Sequence, residues 1–305
     1  MSLTSLVNHA TDKKRFQTLQ DYINFCKRYL QFIETGLQAR IVSQNENHYQ
    51  FYQYQKDGFY NITRPVNTLL MYEQAIFEDA SVQFLQVLTQ LKERDRELPD
   101  NRLRQVLASG KSNQSRKVNG DLFERLIRLI ISELNIDCVA GTAQVPIKDD
   151  NGEFLFNMSY QHDLLISEQD ELKIIGSVKT SSKDRIDKIF VDKFLYNKLT
   201  ATNLPHIAIF LNDVQRKKTK QLNKYGINST FLSGHFKAYT IRLNPLDGVY
   251  YCDIRPNMVS DSLLSQHIQT IDYFFYDDLW RLLSRHGQSL EEVEIEQGEA
   301  EDSEE

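Results

Sequence analysis

Two short apolar runs each end in a residue able to do polar chemistry. Asp163 precedes Leu164-Leu165-Ile166, and Lys179 follows Ile174-Ile175-Gly176-Ser177-Val178 sixteen positions further on. If both runs are strands and neighbours, a carboxylate and an ammonium stand side by side at a strand end. Hydrolysis of a phosphodiester needs this combination. A carboxylate holds a hard divalent cation through oxygen. The cation lowers the pKa of a bound water and neutralises phosphate charge. A nearby lysine orients the water or stabilises the charge that develops. The pair alone is weak, because surface strands often carry both residue types.

The elements that must position this pair follow from periodicity. Strands are expected near 137–147, 160–167, 172–181 and 206–211, with helices from Asn119 or Asp121 to about Leu134 and from about Asp184 to Leu199. Asp150-Asn151-Gly152 should turn the chain between the first two strands. The expected class is α/β, a mixed central sheet flanked by helices. Residues 12–41 read as one helix capped by Asp12, and Leu69 to Leu91 as another. Between them, NHYQFYQYQKDGFYNITRP is either an aromatic surface for stacking on bases or a packed connector between helices. The expected division is a mainly helical region over 1–110 that contributes DNA contacts or dimerisation, a core over 111–290, and a solvated acidic tail over 291–305.

The residues after the lysine carry more information. Lys179-Thr180-Ser181-Ser182-Lys183-Asp184-Arg185 resembles the Lys-Thr-x-x-Lys/Arg-Asp/Glu-Arg run of PD-(D/E)XK type II restriction endonucleases, in the branch that reads CCGG-like, CCNGG or CCWGG sites. Arg116-Lys117-Val118-Asn119-Gly120-Asp121-Leu122-Phe123-Glu124 is similar to the family's Arg-Lys-x-x-Gly-x-x-Leu/Phe-Glu segment on its first core helix. The resemblance covers about residues 115–212. It implies a restriction-endonuclease-like core and Mg²⁺-dependent cleavage of double-stranded DNA at a short palindrome, leaving 5′-phosphate ends. It implies metal ligands at Asp163, Asp192 and Glu124, with Lys179 assisting the water. Ser177 stands where most members carry an acid, and Asp192, thirteen residues after Lys179, replaces it. Asp187 is a rival on the same helix. His162-Asp163 stands in place of the family's Pro-Asp, and Asp192 has a shorter arm than the expected glutamate. Lys183 and Arg185 would donate to guanine, and Asp184 would accept from cytosine; plain capping by Asp184 is the competing reading.

Arg116, Lys117, Arg216, Lys217 and Lys218 are candidate phosphate contacts, the last three equally suited to a solvated loop. The oxygen-only ligand set favours Mg²⁺, with Mn²⁺ able to substitute. A palindromic site calls for a homodimer, or a tetramer of two such pairs. A separate DNA methyltransferase would protect the host DNA.

Composition fits this reading once its distribution is considered. The formal charge of the 305 residues is −6, but the last fifteen hold nine acids and no lysine or arginine, and without them the charge becomes +3. Cys26, Cys138 and Cys252 lie far apart, with no zinc or disulfide spacing. No apolar run reaches membrane-spanning length, and the N-terminus has no apolar signal-peptide region, so a cytoplasmic protein is expected. No Walker A, GxGxxG or GxSxG motif is present, which argues against ATP-driven, NAD-dependent or serine-hydrolase chemistry.

Overall fold

The computed structural model describes residues 5, 8–10, 12–36, 38–44, 49–55, 62–67, 112–149, 151–182, 185–218, 220, 225–290 and 294–298. They fall into two units, one of residues 1–129 with 214–230, the other of 130–213 with 231–305. The expected 69–91 helix lies outside the described residues, as does most of the charged segment that follows it.

In the first unit, α1 (Leu19–Gly36) starts at a reciprocal cap. The Thr18 hydroxyl accepts from the Asp21 amide at 3.2 Å, and the Asp21 carboxylate accepts from the Thr18 amide at 2.9 Å. Asp12 caps only a short 3-10 turn at Lys13–Arg15. The single helix expected over 12–41 is thus corrected at both ends. After Gly36 the β-branched pair Ile41-Val42 enters β1 (Gln38–Gln44), which pairs antiparallel with β2 (Tyr49–Gln55), and β2 with β3 (Ile62–Asn67). The described parts of the aromatic segment, 49–55 and 62–65, are therefore strands. Phe16, Tyr22 and Phe25 are fully buried, and the Tyr22 hydroxyl donates to the Leu122 carbonyl on α2 (Ser112–Glu133). Helix α2 begins at Ser112, before the expected Asn119 or Asp121, and buries Leu122, Phe123, Leu126 and Ile127. Strands β8 (Val214–Lys218) and β9 (Tyr225–Ser229) form an antiparallel ribbon in this unit.

The second unit is built on an eight-stranded mixed sheet. Its order is β11 (Ile268–Thr270), β10 (Gly248–Tyr251), β7 (His206–Asn212), β6 (Glu171–Ser181), β5 (Phe154–Glu168), β4 (Asp137–Lys148) and β13 (Glu294–Gln297), with β12 (Gln288–Ser289) also on β6. Strands β11, β10, β7 and β6 run parallel, while β5, β4 and β13 alternate antiparallel. The parallel strands are buried on both faces, so β7 is buried at every residue. Helix α3 (Ile186–Thr200) returns the chain from β6 to β7. It packs Ile186, Ile189 and Phe190 into a core with Phe210, Val249 and Tyr251 of the sheet and Phe236 of α4 (Ser233–Arg242). On the other face Tyr250 meets Phe274 at 4.9 Å, from the helical residues 271–283. Each such fully buried apolar side chain contributes roughly 1.5–3 kcal/mol.

The core elements match the sequence expectation closely, except that β5 begins at Phe154, well before 160. At the β4–β5 turn the Asp149 carboxylate accepts from the Asn151 and Glu153 amides, and Gly152 takes a φ of +83°. Part of the segment expected to be solvated tail is a strand: β13 pairs with β4 over Gly141–Gln144. Among the described residues, no helix is long and apolar enough to cross a membrane.

Candidate active site

Strands β5 and β6 are antiparallel neighbours, with Leu164 opposite Gly176. Asp163 and Lys179 therefore stand close by construction, and the Lys179 Nζ lies 2.5 Å from the Asp163 Oδ2. The same carboxylate oxygen accepts the Val178 amide at 2.8 Å. A backbone donor and an ammonium thus hold one oxygen, which fixes the carboxylate at the strand margin. Both side chains keep partial exposure to solvent, 29% for Lys179 and 18% for Asp163.

Asp192 lies on α3, one turn from Lys188, whose ammonium is 3.9 Å away. Burial pushes the Asp192 carboxyl above the usual range, and Lys188 opposes that rise. The other neighbour in its field is Tyr160 of β5, whose hydroxyl is shifted up by burial and then by Asp192. The rival Asp187 is engaged elsewhere, with its carboxylate 3.4 Å from the His235 ring of α4. Glu124 stands partly buried on α2, in the first unit. Ser177 is partly buried on β6, in register with Ala208 of β7.

Of the expected base-reading residues, Arg185 is exposed in the turn that opens α3, its amide donating to the Ser182 carbonyl at 3.3 Å. Lys183 and Asp184 lie outside the described residues. Arg116 and Lys117 fall on the first two turns of α2, and Arg216, Lys217 and Lys218 on β8 rather than on a loop.

Among the described residues, no three His, Cys, Asp or Glu side chains gather to hold a metal ion. Mg²⁺ does not need such a cage: it keeps several waters and takes one or two carboxylates plus phosphate oxygens. Asp163, an oxygen donor at a solvent-reachable strand margin, fits that requirement.

Two features around the site were not anticipated. His162, Tyr160, Tyr196 and His206 form a buried ring cluster, with His162 and His206 centroids 6.3 Å apart. Burial depresses the His162 pKa to about 4 and the His206 pKa to about 3, so both are neutral. The His206 Nδ1 faces the Leu204 carbonyl at 2.9 Å, so it carries the proton and donates. The second is a buried ion network. Lys193 of α3, 4% exposed, donates to the Pro245 carbonyl at 2.6 Å and to Asp247 at 2.7 Å, and Arg285 binds the other Asp247 oxygen at 2.8 Å. The sequence signal for both is a polar residue inside an apolar face: His206 opening HIAIFL, Lys193 among Ile189, Phe190 and Tyr196.

No protein-family model and no curated protein matches the chain. Among solved structures it is similar to the type IIP restriction endonuclease Kpn2I. Identity is 14%, with 93% of this chain and 98% of that chain covered at a TM-score of 0.55. It also matches the restriction endonuclease PspGI in complex with substrate DNA, at 15% identity over 72% of this chain and 92% of that one, TM-score 0.41. The first of these establishes the fold: a restriction-endonuclease-like mixed sheet flanked by helices.

Proposed function

We propose that this chain is a type II restriction endonuclease, cutting double-stranded DNA at a short palindrome containing CC/GG and leaving 5′-phosphate ends. The observation that carries this reading is the Asp163–Lys179 pair on neighbouring strands of a restriction-endonuclease fold. Mg²⁺ is the proposed cofactor, with Mn²⁺ a substitute, held by Asp163 with Asp192 and Glu124. When bound, the cation supplies Lewis acidity and neutralises charge at the phosphate. Lys179 keeps an ammonium at the same strand margin, where it orients the attacking water and meets the charge that develops on the phosphate oxygens. The Val178 amide holds the Asp163 carboxylate in place while the lysine acts. Lys183, Asp184 and Arg185 are assigned to base edges. Arg116, Lys117, Arg216, Lys217 and Lys218 are assigned to phosphates. The working form is a homodimer, or a tetramer of two dimers, acting in the cytoplasm beside a separate DNA methyltransferase.

One observation favours a second reading. Ser177 stands on β6 where most members of the family carry an acid, and Asp192, the carboxylate that would replace it, has the Lys188 ammonium 3.9 Å away. A non-catalytic DNA-binding protein on a degenerate nuclease core would tolerate that arrangement. Cleavage of long unmethylated DNA by the purified protein with Mg²⁺, beside Lys179→Ala and Asp163→Ala, separates the readings. Discrete fragments from the wild type, lost in both variants, are expected. A smear lost in both variants indicates a nuclease that reads DNA shape instead of sequence. Sequence-specific binding without any cleavage overturns the enzymatic reading.

A further inference from the structure

Strands β6, β7 and β10 run parallel, so their carboxyl ends meet at one margin of the sheet. Ser181 is in register with Asn212. Beyond Tyr251 the Cys252 and Asp253 amides still donate to the Phe210 and Leu211 carbonyls, at 2.9 and 3.1 Å. At this margin the apolar core gives way to buried polar side chains. Ser182, Asn212, Asp213, Asp253 and Arg255 are each at most 7% exposed. The Arg255 guanidinium lies 3.5 Å from the Asp213 carboxylate. Burying such a pair adds little cohesion over an apolar layer of the same volume. A connected polar layer does fix one geometry, because its directional contacts admit few alternatives.

Tyr251 belongs to both regions. Its ring packs in the core, 5.2 Å from the Phe210 ring. Its hydroxyl faces the polar layer. Burial raises the hydroxyl pKa, the Ser182 side chain beside it opposes the rise, and Asp213 adds to it. The hydroxyl therefore keeps its proton and is a donor. A phenylalanine would fill the same space, so the hydroxyl alone calls for a role. Ser182 is where the layer meets the surface. It follows the last residue of β6, and its carbonyl accepts the Arg185 amide at 3.3 Å. Ser182 and Arg185 are thus the two ends of the turn that opens α3. Arg185 holds the cap position of α3 without a side-chain cap hydrogen bond, so its own exposed side chain does not anchor the turn.

We infer that Tyr251 is a positioning residue for base discrimination. Its hydroxyl holds Ser182, Ser182 holds the turn, and the turn aims Arg185. The Asp213–Arg255 pair fixes the floor beside the hydroxyl. The inference rests on the proposed assignment of Lys183, Asp184 and Arg185 to base edges. A side chain that reads a base edge works only within a narrow range of positions, so its supporting groups matter as much as the reader itself. A loosened turn loses discrimination before affinity, because contacts to phosphates carry no sequence information and persist.

The test compares Tyr251→Phe and Ser182→Ala with Tyr250→Phe in the full chain. Tyr250 is the neighbour of Tyr251 on β10, and its buried hydroxyl donates to Asp278 at 2.7 Å on the other face of the sheet. Each variant loses one buried hydroxyl, so a merely structural effect appears in all three. The first readout is hydrogen exchange of the Arg185 amide without DNA. The second is cleavage of the site mapped from wild-type fragments, against its single-base variants. In Tyr251→Phe and Ser182→Ala, exchange should quicken about tenfold and discrimination at one base position should fall about tenfold, within the roughly 5- to 150-fold that one bidentate base contact carries. Tyr250→Phe should keep wild-type values of both. Unchanged exchange in Tyr251→Phe and Ser182→Ala overturns the inference. So does quickened exchange with discrimination intact, a loss of rate equal on every site, or a loss shared by Tyr250→Phe. All of these leave the nuclease reading standing. A wild type without sequence preference sinks that reading, and the inference with it, whatever the exchange rates.

Discussion

Stability should fall steeply with mild acid, because of His162 and His206. Both are buried and neutral, with pKa values near 4 and 3, against about 6.5 in an unfolded chain. Below pH 6.5 the unfolded chain binds protons that the folded chain refuses. Stability therefore decreases as pH falls through the window from 6.5 toward 4 for His162 and toward 3 for His206. Each histidine contributes about 1.4 kcal/mol per pH unit inside the window. Between pH 7 and pH 5 that amounts to about 2 kcal/mol each and about 4 kcal/mol together, a large share of a typical 5–15 kcal/mol. His267, depressed by partial burial, adds in the same direction. Asp192, shifted up by burial, acts in the opposite sense at lower pH. The assay is urea unfolding at pH 7 and pH 5 for the wild type and for His206→Asn, whose amide can still donate to the Leu204 carbonyl. The variant should lose about 2 kcal/mol where the wild type loses about 4. Equal losses in the two proteins, or a wild type indifferent to pH in this range, would refute the argument. The effect bears on function because His162 adjoins Asp163, and proton uptake there would disturb the strand that carries the carboxylate.

Three other perturbations have defined outcomes. Asp247→Ala strands the Lys193 ammonium in the core and removes the acceptor of the His206 amide and of Arg285, and should cost about 3–5 kcal/mol in denaturant unfolding, whereas Lys193→Met with Asp247→Leu should recover only the part due to Lys193. Gly141→Ala would put a methyl carbon 2.7 Å from the Glu296 carbonyl oxygen, so β13 should detach from β4, read as faster hydrogen exchange at residues 294–297 with little change elsewhere. If Arg185 reads a base, Arg185→Ala should relax discrimination at one position of the site by about 1–3 kcal/mol, measured as binding to single-base variants; uniform weakening would assign it to a phosphate instead.

The central strands and α3 were legible because their apolar periods are long and their neighbours agree. LLI after Asp163 and IIGSV before Lys179 are buried on a parallel-rich sheet, and such runs have few alternatives. The misreadings lie where short-range pattern is ambiguous. Residues 38–41 continue an acceptable helical spacing, but pairing with β2 draws them into a strand. The tyrosines of 49–55 are equally good strand or surface residues, and only the register with β1 and β3 decides. Strands β10 and β11 are too short to announce themselves, yet they extend the parallel half of the sheet.

The sequence by itself determined which residues could meet at the site: an acid and a lysine flanking two apolar runs, in a family-like order with Arg185 and Asp192. Their meeting depended only on strand adjacency, a local property that periodicity encodes, and Asp163 and Lys179 are in contact. Tertiary structure decided which distant partners the other groups took. It set Asp187 against His235 and Lys193 against Asp247, and it buried two histidines and a lysine. Those outcomes depend on how helices and distant strands pack against one another. Packing is fixed by the volume and shape of many side chains together, which no spacing along the chain records.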